Sequence, residues 1–268
     1  YGDPAIAEAA ASARHPDAAL PETTDVLVVG TGPAGLVLAA QLCTFPGIRT
    51  CVIERRDGPL LLGQADGVAC RTVETFDTFG LSDKLLRESY WVNEVAFWRP
   101  DANDRTRIAR TGRVQDTEDG LSEFPHVIVN QARLQAYLLE HMANSASRLA
   151  PHYGVEFVGA VVEEGHEHPV KVTVRQGGAE RVIRAKYVVG CDGARSQVRE
   201  AIGRKLHGDF ANHAWGVMDI LAVTDFPDIR LKAAIQSADQ GNILLIPREG
   251  GYLVRLYVEL GDVAPDNR

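Results

Sequence analysis

The sequence is short of several things, and each shortage excludes something. Four cysteines occur in 268 residues, Cys43, Cys51, Cys70 and Cys191, and none forms a CxxC pair. They read as reduced thiols packed inside a cytoplasmic protein, and no metal site is expected. No apolar run is long enough to span a bilayer, so no membrane is expected as a partner. Positive charge is scarce: 28 Lys and Arg stand against 36 Asp and Glu, a formal charge of −8. That balance gives no case for nucleic acid or an anionic membrane surface. Internal repeats and low-complexity linkers are also missing. Residues 1–22 are alanine-rich, yet Asp3, Glu8, Arg14 and Asp17 interrupt any signal-peptide core. A mobile arm or a short helix begun by Asp3-Pro4 is expected there. The first residue is not Met and no ending is obvious, so the chain reads as a fragment.

What is present is concentrated between Asp25 and Glu54. Val26-Leu27-Val28-Val29 is a short β-branched run of the kind that forms a buried parallel strand. Gly30-Thr31-Gly32-Pro33-Ala34-Gly35 follows, then a helical run through Leu36, Leu38, Ala39, Ala40 and Leu42. A second strand, Cys51-Val52-Ile53, ends on Glu54. Each part suits a dinucleotide. Gly30 permits the tight turn, Gly32 lets the backbone approach a pyrophosphate, and Gly35 lets the helix pack closely on the sheet. The helix N-terminus offers unpaired N–H groups to phosphate oxygens. Glu54 is placed to accept a ribose 2′-OH and to disfavour a 2′-phosphate, so FAD or NAD fits better than NADP.

Past Glu54, a charged turn (55–59) leads to Gly63-Gln64-Ala65-Asp66-Gly67, a loop whose glycines suggest close backbone approach. Val73, Phe76 and Phe79 share one helix face, and Gly80 stops that helix. Val95–Trp98 reads as a strand, and the polar stretch 99–120 as a loop or hairpin on an exposed sheet. Pro125–Val129 is extended. Asn130 then caps an amphipathic helix with Leu134, Tyr137, Leu138 and His141 on its buried face. Val155–Val158, Val170–Val174 and Val182-Ile183 alternate like antiparallel strands. Tyr187–Gly190 is again a buried strand, followed by Cys191-Asp192-Gly193-Ala194-Arg195-Ser196 and a short helix, Gln197–Ile202. Four more strands are expected at 215–223, 232–236, 243–246 and 252–259, with a turn at Glu249-Gly250-Gly251. The fold class is mixed α/β, with a Rossmann-like nucleotide-binding domain interleaved with a β-sheet substrate domain. The expected division is an arm (1–22), the nucleotide-binding domain at 23–89 and 125–204, and the substrate domain at 90–124 and 205–268.

GTGPAG with Glu54, then GQADGVACRTVE, then YVVGCDGARSQVR, in that order, resemble the single-component FAD-dependent aromatic hydroxylases. FPDIR, AIQS and IPREGGYLVRLYVEL are similar to the phenol 2-monooxygenase and 3-hydroxybenzoate 4-monooxygenase branch. The resemblance implies FAD, contacted by Gly30, Gly32, Pro33, Ala34, Gly35, Glu54, Arg55, Gln64, Gln131, Asp192 and Gly193. It implies NADPH or NADH as reductant, and O2 captured as a flavin C4a-hydroperoxide that hydroxylates a phenolic ring. Asp66, Tyr257 and Arg248 match active-site residues of the family, and His126 and Lys232 resemble substrate-binding ones. The substrate implied is 3-hydroxybenzoate, giving 3,4-dihydroxybenzoate, with phenol giving catechol as the alternative. A homodimer is expected of the full-length protein. Gly261-Asp262 comes too early for the family's third flavin motif, so the C-terminal part is expected to be missing, and an inactive piece completed by another chain is the non-enzymatic alternative.

The implied chemistry gives these residues their reasons. A phenol reacts faster as it approaches phenolate, so an Asp66–Tyr257 pair would polarise its O–H in a water-poor pocket. A buried benzoate carboxylate needs a cation, and Lys232 is the candidate. Taken by residue type alone, other roles stay open. Asp66 also suits a turn, Tyr257 strand packing, Lys232 a solvated face, His126 a bond to a backbone carbonyl, and Arg248 and Arg255 surface ion pairs.

Overall fold

A computed structural model describes residues 19–62, 66–209, 211 and 213–262. The expected contact through Gln64 and most of the N-terminal arm lie outside the described residues. The chain forms two compact units, Tyr1–Gln64 with Gln131–His207, and Ala65–Asn130 with Gly208–Arg268. Sequence reading placed junctions at 89, 124 and 204. The compact units part at 64, 130 and 207, so the stretch 66–89 groups with the second unit.

In the first unit, β1 (Thr23–Val29) pairs in parallel with β2 (Thr50–Glu54) and β11 (Ala179–Gly190). The short β8 (His152–Tyr153) extends the parallel part, and β10 (Val170–Gln176) and β9 (Val155–Val162) add an antiparallel edge, for the order β8-β2-β1-β11-β10-β9. The stretches Val182-Ile183 and Tyr187–Gly190, separate in the sequence reading, are one twelve-residue strand. Its first half pairs with β10 and its second half with β1, so one strand serves both parts of the sheet. Leu27, Val29, Cys51, Ile53, Phe157, Val172 and Ile183 form the core beneath.

Helix α1 (Pro33–Leu42) begins on proline, whose missing N–H costs nothing in a first turn. A later helix of the same unit, at Gln131–Ala143, packs against it. Its buried face is Ala132, Gln135, Tyr137, Leu138, Leu139 and Met142, whereas Leu134 and His141 are only half-buried. The face is therefore rotated from the one expected. The reason is Gln135, whose amide donates to Thr31 O (3.1 Å) and accepts from Leu60 N–H (3.2 Å), so a polar side chain is buried without loss of hydrogen bonds.

The second unit holds two sheets. One has the order β12-β15-β14-β13-β5-β6, built from His213–Leu221, Leu253–Asp262, Asn242–Pro247, Lys232–Gln236, Glu94–Pro100 and Ile108–Gln115. Its neighbours are antiparallel except β13 and β5. The expected hairpin in 99–120 is the β5–β6 pair. Gly250 and Gly251 turn the chain between β14 and β15 with φ of +84° and +85°. The other sheet is β3 (Gly67–Val68), β7 (His126–Ile128) and β4 (Tyr90–Val92), in the order β3-β7-β4. Two further helices are α2 (Cys70–Thr78), which buries Val73 and Phe76, and α3 (Ser82–Glu88), which sequence reading missed. The helix at 131–143 is α4, and Gln197–Ala201 is α5.

No helix among the described residues is long and apolar enough to cross a membrane. The four cysteines are free, Cys43 and Cys51 among the core residues.

Candidate functional site

Two places gather the residues singled out by sequence. The first lies in the first unit, around the ends of β1, β2 and β11. The Gly30 N–H donates to Ile53 O (2.8 Å), and the Cys191 N–H to Val29 O (2.8 Å), so three strand ends are tied together. Gly30 has φ +104°, and a Cβ there would lie 2.5 Å from Cys191 O. A Cβ at Gly35 would collide with the Gly30 carbonyl. Both glycines are thus required by backbone meeting backbone. Gly32 is different: a Cβ there would meet only Cys191 O, at 3.9 Å. Gly32 is also the N-cap of α1 and makes no side-chain capping bond, so the first-turn N–H groups stay open to an anion. Pro33 and Ala34 are exposed on that same turn. A cavity of about 370 Å³ opens here, lined by Gly32, Pro33, Arg55, Gln131 and Gly193 among others. The donor set and the room beside Gly32 fit a pyrophosphate-bearing cofactor such as FAD.

Glu54, expected to hold a ribose hydroxyl, and Asp192, expected to contact FAD, are already engaged. Glu54 accepts five hydrogen bonds: from Thr31 N (2.9 Å) and Oγ1 (2.7 Å), and from Arg56 N (3.0 Å), Nε (3.1 Å) and Nη2 (3.2 Å). Burial alone would raise its pKa, but these donors outweigh burial and hold the carboxyl at about 2. A ribose hydroxyl reaches Glu54 only in exchange for one of these bonds, and Arg56, the more exposed partner, is the one able to give way. Asp192 accepts from Ser196 Oγ (2.5 Å), Gln197 N (2.7 Å) and Val198 N (3.2 Å), so it ties down the start of α5. Gly193, beside it, has φ +81° and open space at its Cβ position. Thr31, Arg56 and Gln135 are the residues that sequence reading missed. The Thr inside GTGPAG was the available signal for the first of them.

The second place lies in the second unit. Asp66 precedes β3, and its carbonyl accepts from Val129 N–H (2.9 Å), just past β7. Its side chain meets two guanidiniums. Arg255 Nη1 donates to Oδ1 (2.6 Å), and Arg248 Nη1 lies 3.1 Å from Oδ2. Asp219, on β12, closes the figure. It accepts from Arg255 Nε (2.7 Å) and Nη2 (2.7 Å), and from Arg248 Nη1 (3.0 Å). The result is a ring of alternating charge, Asp66–Arg255–Asp219–Arg248, with Glu249 attached to Arg248 from outside (3.0 Å). Arg248 and Arg255 are 3% and 6% exposed, which excludes the surface ion pairs considered for them.

The ring's two carboxyls are shifted in opposite directions. Hydrogen bonds from Arg255 hold Asp219 below the ordinary carboxylate value. Burial pushes Asp66 above it; the charges of Arg248 and Arg255 oppose that push, and those of Glu249 and Asp219 add to it. The Oδ2 atom of Asp66 has charge contact with Arg248 but no aligned hydrogen bond, and is buried. Tyr257 is half-buried on β15, two residues from Arg255 and so on the same side of that strand. Hydrogen bonding to Asp219 raises the already high pKa of the Arg255 guanidinium. Of the expected Asp66–Tyr257 pair, Asp66 bonds instead to Arg255, two residues from Tyr257 on the same strand. His126 and Lys232 of this unit meet on Asp116, which sequence reading did not single out, and a Cβ at Gly67, next to Asp66, would lie 3.3 Å from His126 Nε2.

Comparison with known proteins bears on the same features. The chain is 58% identical to a 3-hydroxybenzoate 4-monooxygenase of Comamonas testosteroni, over 273 aligned residues covering 100% of this chain and 43% of that protein. A phenol 2-monooxygenase, fsqG, of Aspergillus fumigatus is 33% identical over 238 residues, covering 88% of this chain and 39% of that protein. The chain therefore spans less than half the length of these relatives. In fold it resembles the flavin-dependent monooxygenase PieE, solved in complex with FAD and substrate, with a TM-score of 0.74 at 21% identity over 93% of this chain and 45% of that one. Residues 23–266 match the family described as "FAD binding domain". With the glycine turns, the open α1 N-terminus and the cavity beside them, the match settles the family: this chain belongs to the FAD binding domain family.

Proposed function

We propose that this chain serves an FAD-dependent hydroxylation of a phenolic ring, with 3-hydroxybenzoate converted to 3,4-dihydroxybenzoate at the expense of O2 and NADPH or NADH. The observation that carries the reading is Asp66 Oδ2, a buried carboxylate oxygen with no aligned hydrogen bond, on a carboxyl whose proton affinity is raised. Such an oxygen is suited to take the proton of a phenolic O–H, and a ring nearer phenolate is richer in electrons and easier to hydroxylate. The buried guanidiniums of Arg248 and Arg255 fix Asp66 in place and keep water from competing for that oxygen. Tyr257, on the same side of β15 as Arg255, orients the phenol. Lys232 pairs with the substrate carboxylate. FAD, when bound along Gly30–Gly35, Arg55, Gln131, Asp192 and Gly193, supplies the activation of oxygen. The named activity of the Comamonas testosteroni relative supports the choice of substrate. The reading sets this reaction in the cytoplasm and in a homodimer of the full-length protein.

The test is the full-length protein, purified and loaded with FAD. Added 3-hydroxybenzoate should stimulate NAD(P)H oxidation and give 3,4-dihydroxybenzoate on chromatography. A flavin-loaded protein that shows neither stimulation nor product sinks the reading. One observation favours a second reading, phenol converted to catechol: the Lys232 ammonium already has Asp116 as its counter-ion. Replacing Lys232 by Met separates the two, since it should impair turnover of the benzoate far more than that of phenol.

A further inference from the structure

Asp116 follows β6, and its backbone N–H donates to Asn93 O (2.9 Å). Its side chain is 12% exposed and receives partners from two other strands. His126, at the start of β7, donates from Nδ1 to Oδ2 (2.9 Å), and Lys232, at the start of β13, donates from Nζ to Oδ1 (3.4 Å). The ends of three strands thus meet on one carboxylate, and Lys232 comes from 116 residues away. The site is fitted around the imidazole as well, because a Cβ at Gly67 would come within 3.3 Å of His126 Nε2. Lys232 is 25% exposed on its side chain, so its charge is incompletely solvated and depends on a counter-ion. Asp116 is that counter-ion. A ligand carboxylate arriving at the same ammonium meets a charge already partly neutralised, and meets Asp116 itself as a like charge. An uncharged phenol encounters neither effect.

We propose that Asp116 is a specificity-determining residue: held between Lys232 and His126, it competes for the ammonium and lowers the affinity of this cluster for a benzoate relative to a neutral phenol. The proposal rests on the reading in which Lys232 receives the substrate carboxylate. It makes the balance between phenolic acids and phenols a property of one side chain. A change at residue 116 alone moves the protein along that axis.

The experiment uses full-length, FAD-loaded protein and measures dissociation constants for 3-hydroxybenzoate and for phenol by fluorescence titration, without turnover. Asp116→Asn should bind 3-hydroxybenzoate about 10-fold tighter than wild type while phenol stays within about twofold. The double variant with Lys232→Met should lose the gain. Unchanged or weaker binding of 3-hydroxybenzoate by D116N, with phenol binding retained, overturns the proposal, as does a gain that survives without Lys232. Asp116→Ser repeats the comparison if Asn disturbs the fold, and His126→Gln shows whether the imidazole alone gives the same gain, which would also overturn it. Wild-type protein that binds both ligands but forms no 3,4-dihydroxybenzoate sinks the proposed reaction, while the same titrations still read the effect of Asp116.

Discussion

Glu54 and Asp66 are buried to nearly the same degree, 6% and 5% exposed, yet their proton affinities move in opposite directions. Glu54, in the first unit, faces only donors: two backbone N–H groups, a hydroxyl and the guanidinium of Arg56, two residues away in sequence. Asp66, in the second unit, faces two arginines that are shared with Asp219 and Glu249. Sharing is the difference. A carboxylate that owns its donors is held ionised, whereas one whose cations are divided among three acids is left with burial as the larger influence. The first arrangement suits a fixed structural charge, and the second suits a group that exchanges a proton.

The comparison is broken most severely from the first unit. Gly35→Ala sets a Cβ against the Gly30 carbonyl, a backbone contact that no rotamer change relieves. The expected outcome is loss of FAD from the purified full-length protein, with a fall in stability of about 3 kcal/mol or more. Flavin absorbance and a urea melt check it. An alanine variant that keeps its flavin would show that the β1–α1 turn is looser than this geometry.

Arg255→Met comes next, because it opens the charge ring and leaves Asp66 and Asp219 to face each other with Arg248 alone. Removing one partner of a buried ion pair costs roughly 3–5 kcal/mol, and the half-exposed Asp219 end places the expected loss near the lower figure, about 3 kcal/mol. Asp219→Asn should cost less, since it removes a charge from the solvent-facing corner. Urea midpoints of the two variants give the order directly. The reverse order would mean that the ring is anchored at Asp219 rather than at Asp66.

pH sharpens the contrast between the two carboxylates. Glu54 falls from an ordinary value of 4.5 to about 2 in the fold, so the unfolded chain holds the proton more tightly. The stabilisation is fully present above 4.5 and is lost as pH falls toward 2. The difference in stability between wild type and Glu54→Gln should be flat above pH 5 and shrink below it. Asp66 has the opposite sign. Its folded value lies above the ordinary 3.8, so ionising it costs the fold stability, and wild type should gain on Asp66→Asn as pH falls through that higher value. Parallel denaturation series for the two variants measure both slopes. Slopes of the same sign would end the contrast.

The unequal legibility of the two places has the same physical root. The first is written in contiguous residues, strand, glycine turn, helix and strand, and its constraints are backbone ones that glycine alone satisfies, so residues 25–54 announce it. The second joins positions 66, 219, 248 and 255, which no local pattern links. Asp66 and Arg248 were singled out only through resemblance to a family, and Arg255 by itself looked like a surface cation. Asp219 sits on a strand of mostly exposed residues, where an acid ordinarily faces water. Asp116 and Gln135 escaped for a related reason. Each is a polar residue made buriable by a partner more than 100 residues away, Lys232 for Asp116 and Thr31 for Gln135, and periodicity counts such residues as outward-facing.

The smallest expected effect separates two roles for the Asp192–Gly193 turn. Asp192 and Ser196 together satisfy the first N–H groups of α5: Asp192 takes Gln197 N and Val198 N, and Ser196 Oγ takes Arg199 N at 3.0 Å while donating to Asp192. Ser196→Ala removes a capping bond and should lower stability by about 1 kcal/mol. It also frees Asp192 Oδ1 from its hydroxyl partner, leaving both lone pairs of that oxygen open to a new donor. If the turn only anchors the helix, FAD affinity should be unchanged. If Asp192 is the group that meets the cofactor, the released oxygen should tighten FAD binding even as the protein becomes less stable. A melt and a flavin titration on the same variant therefore move in opposite directions under one role and not under the other.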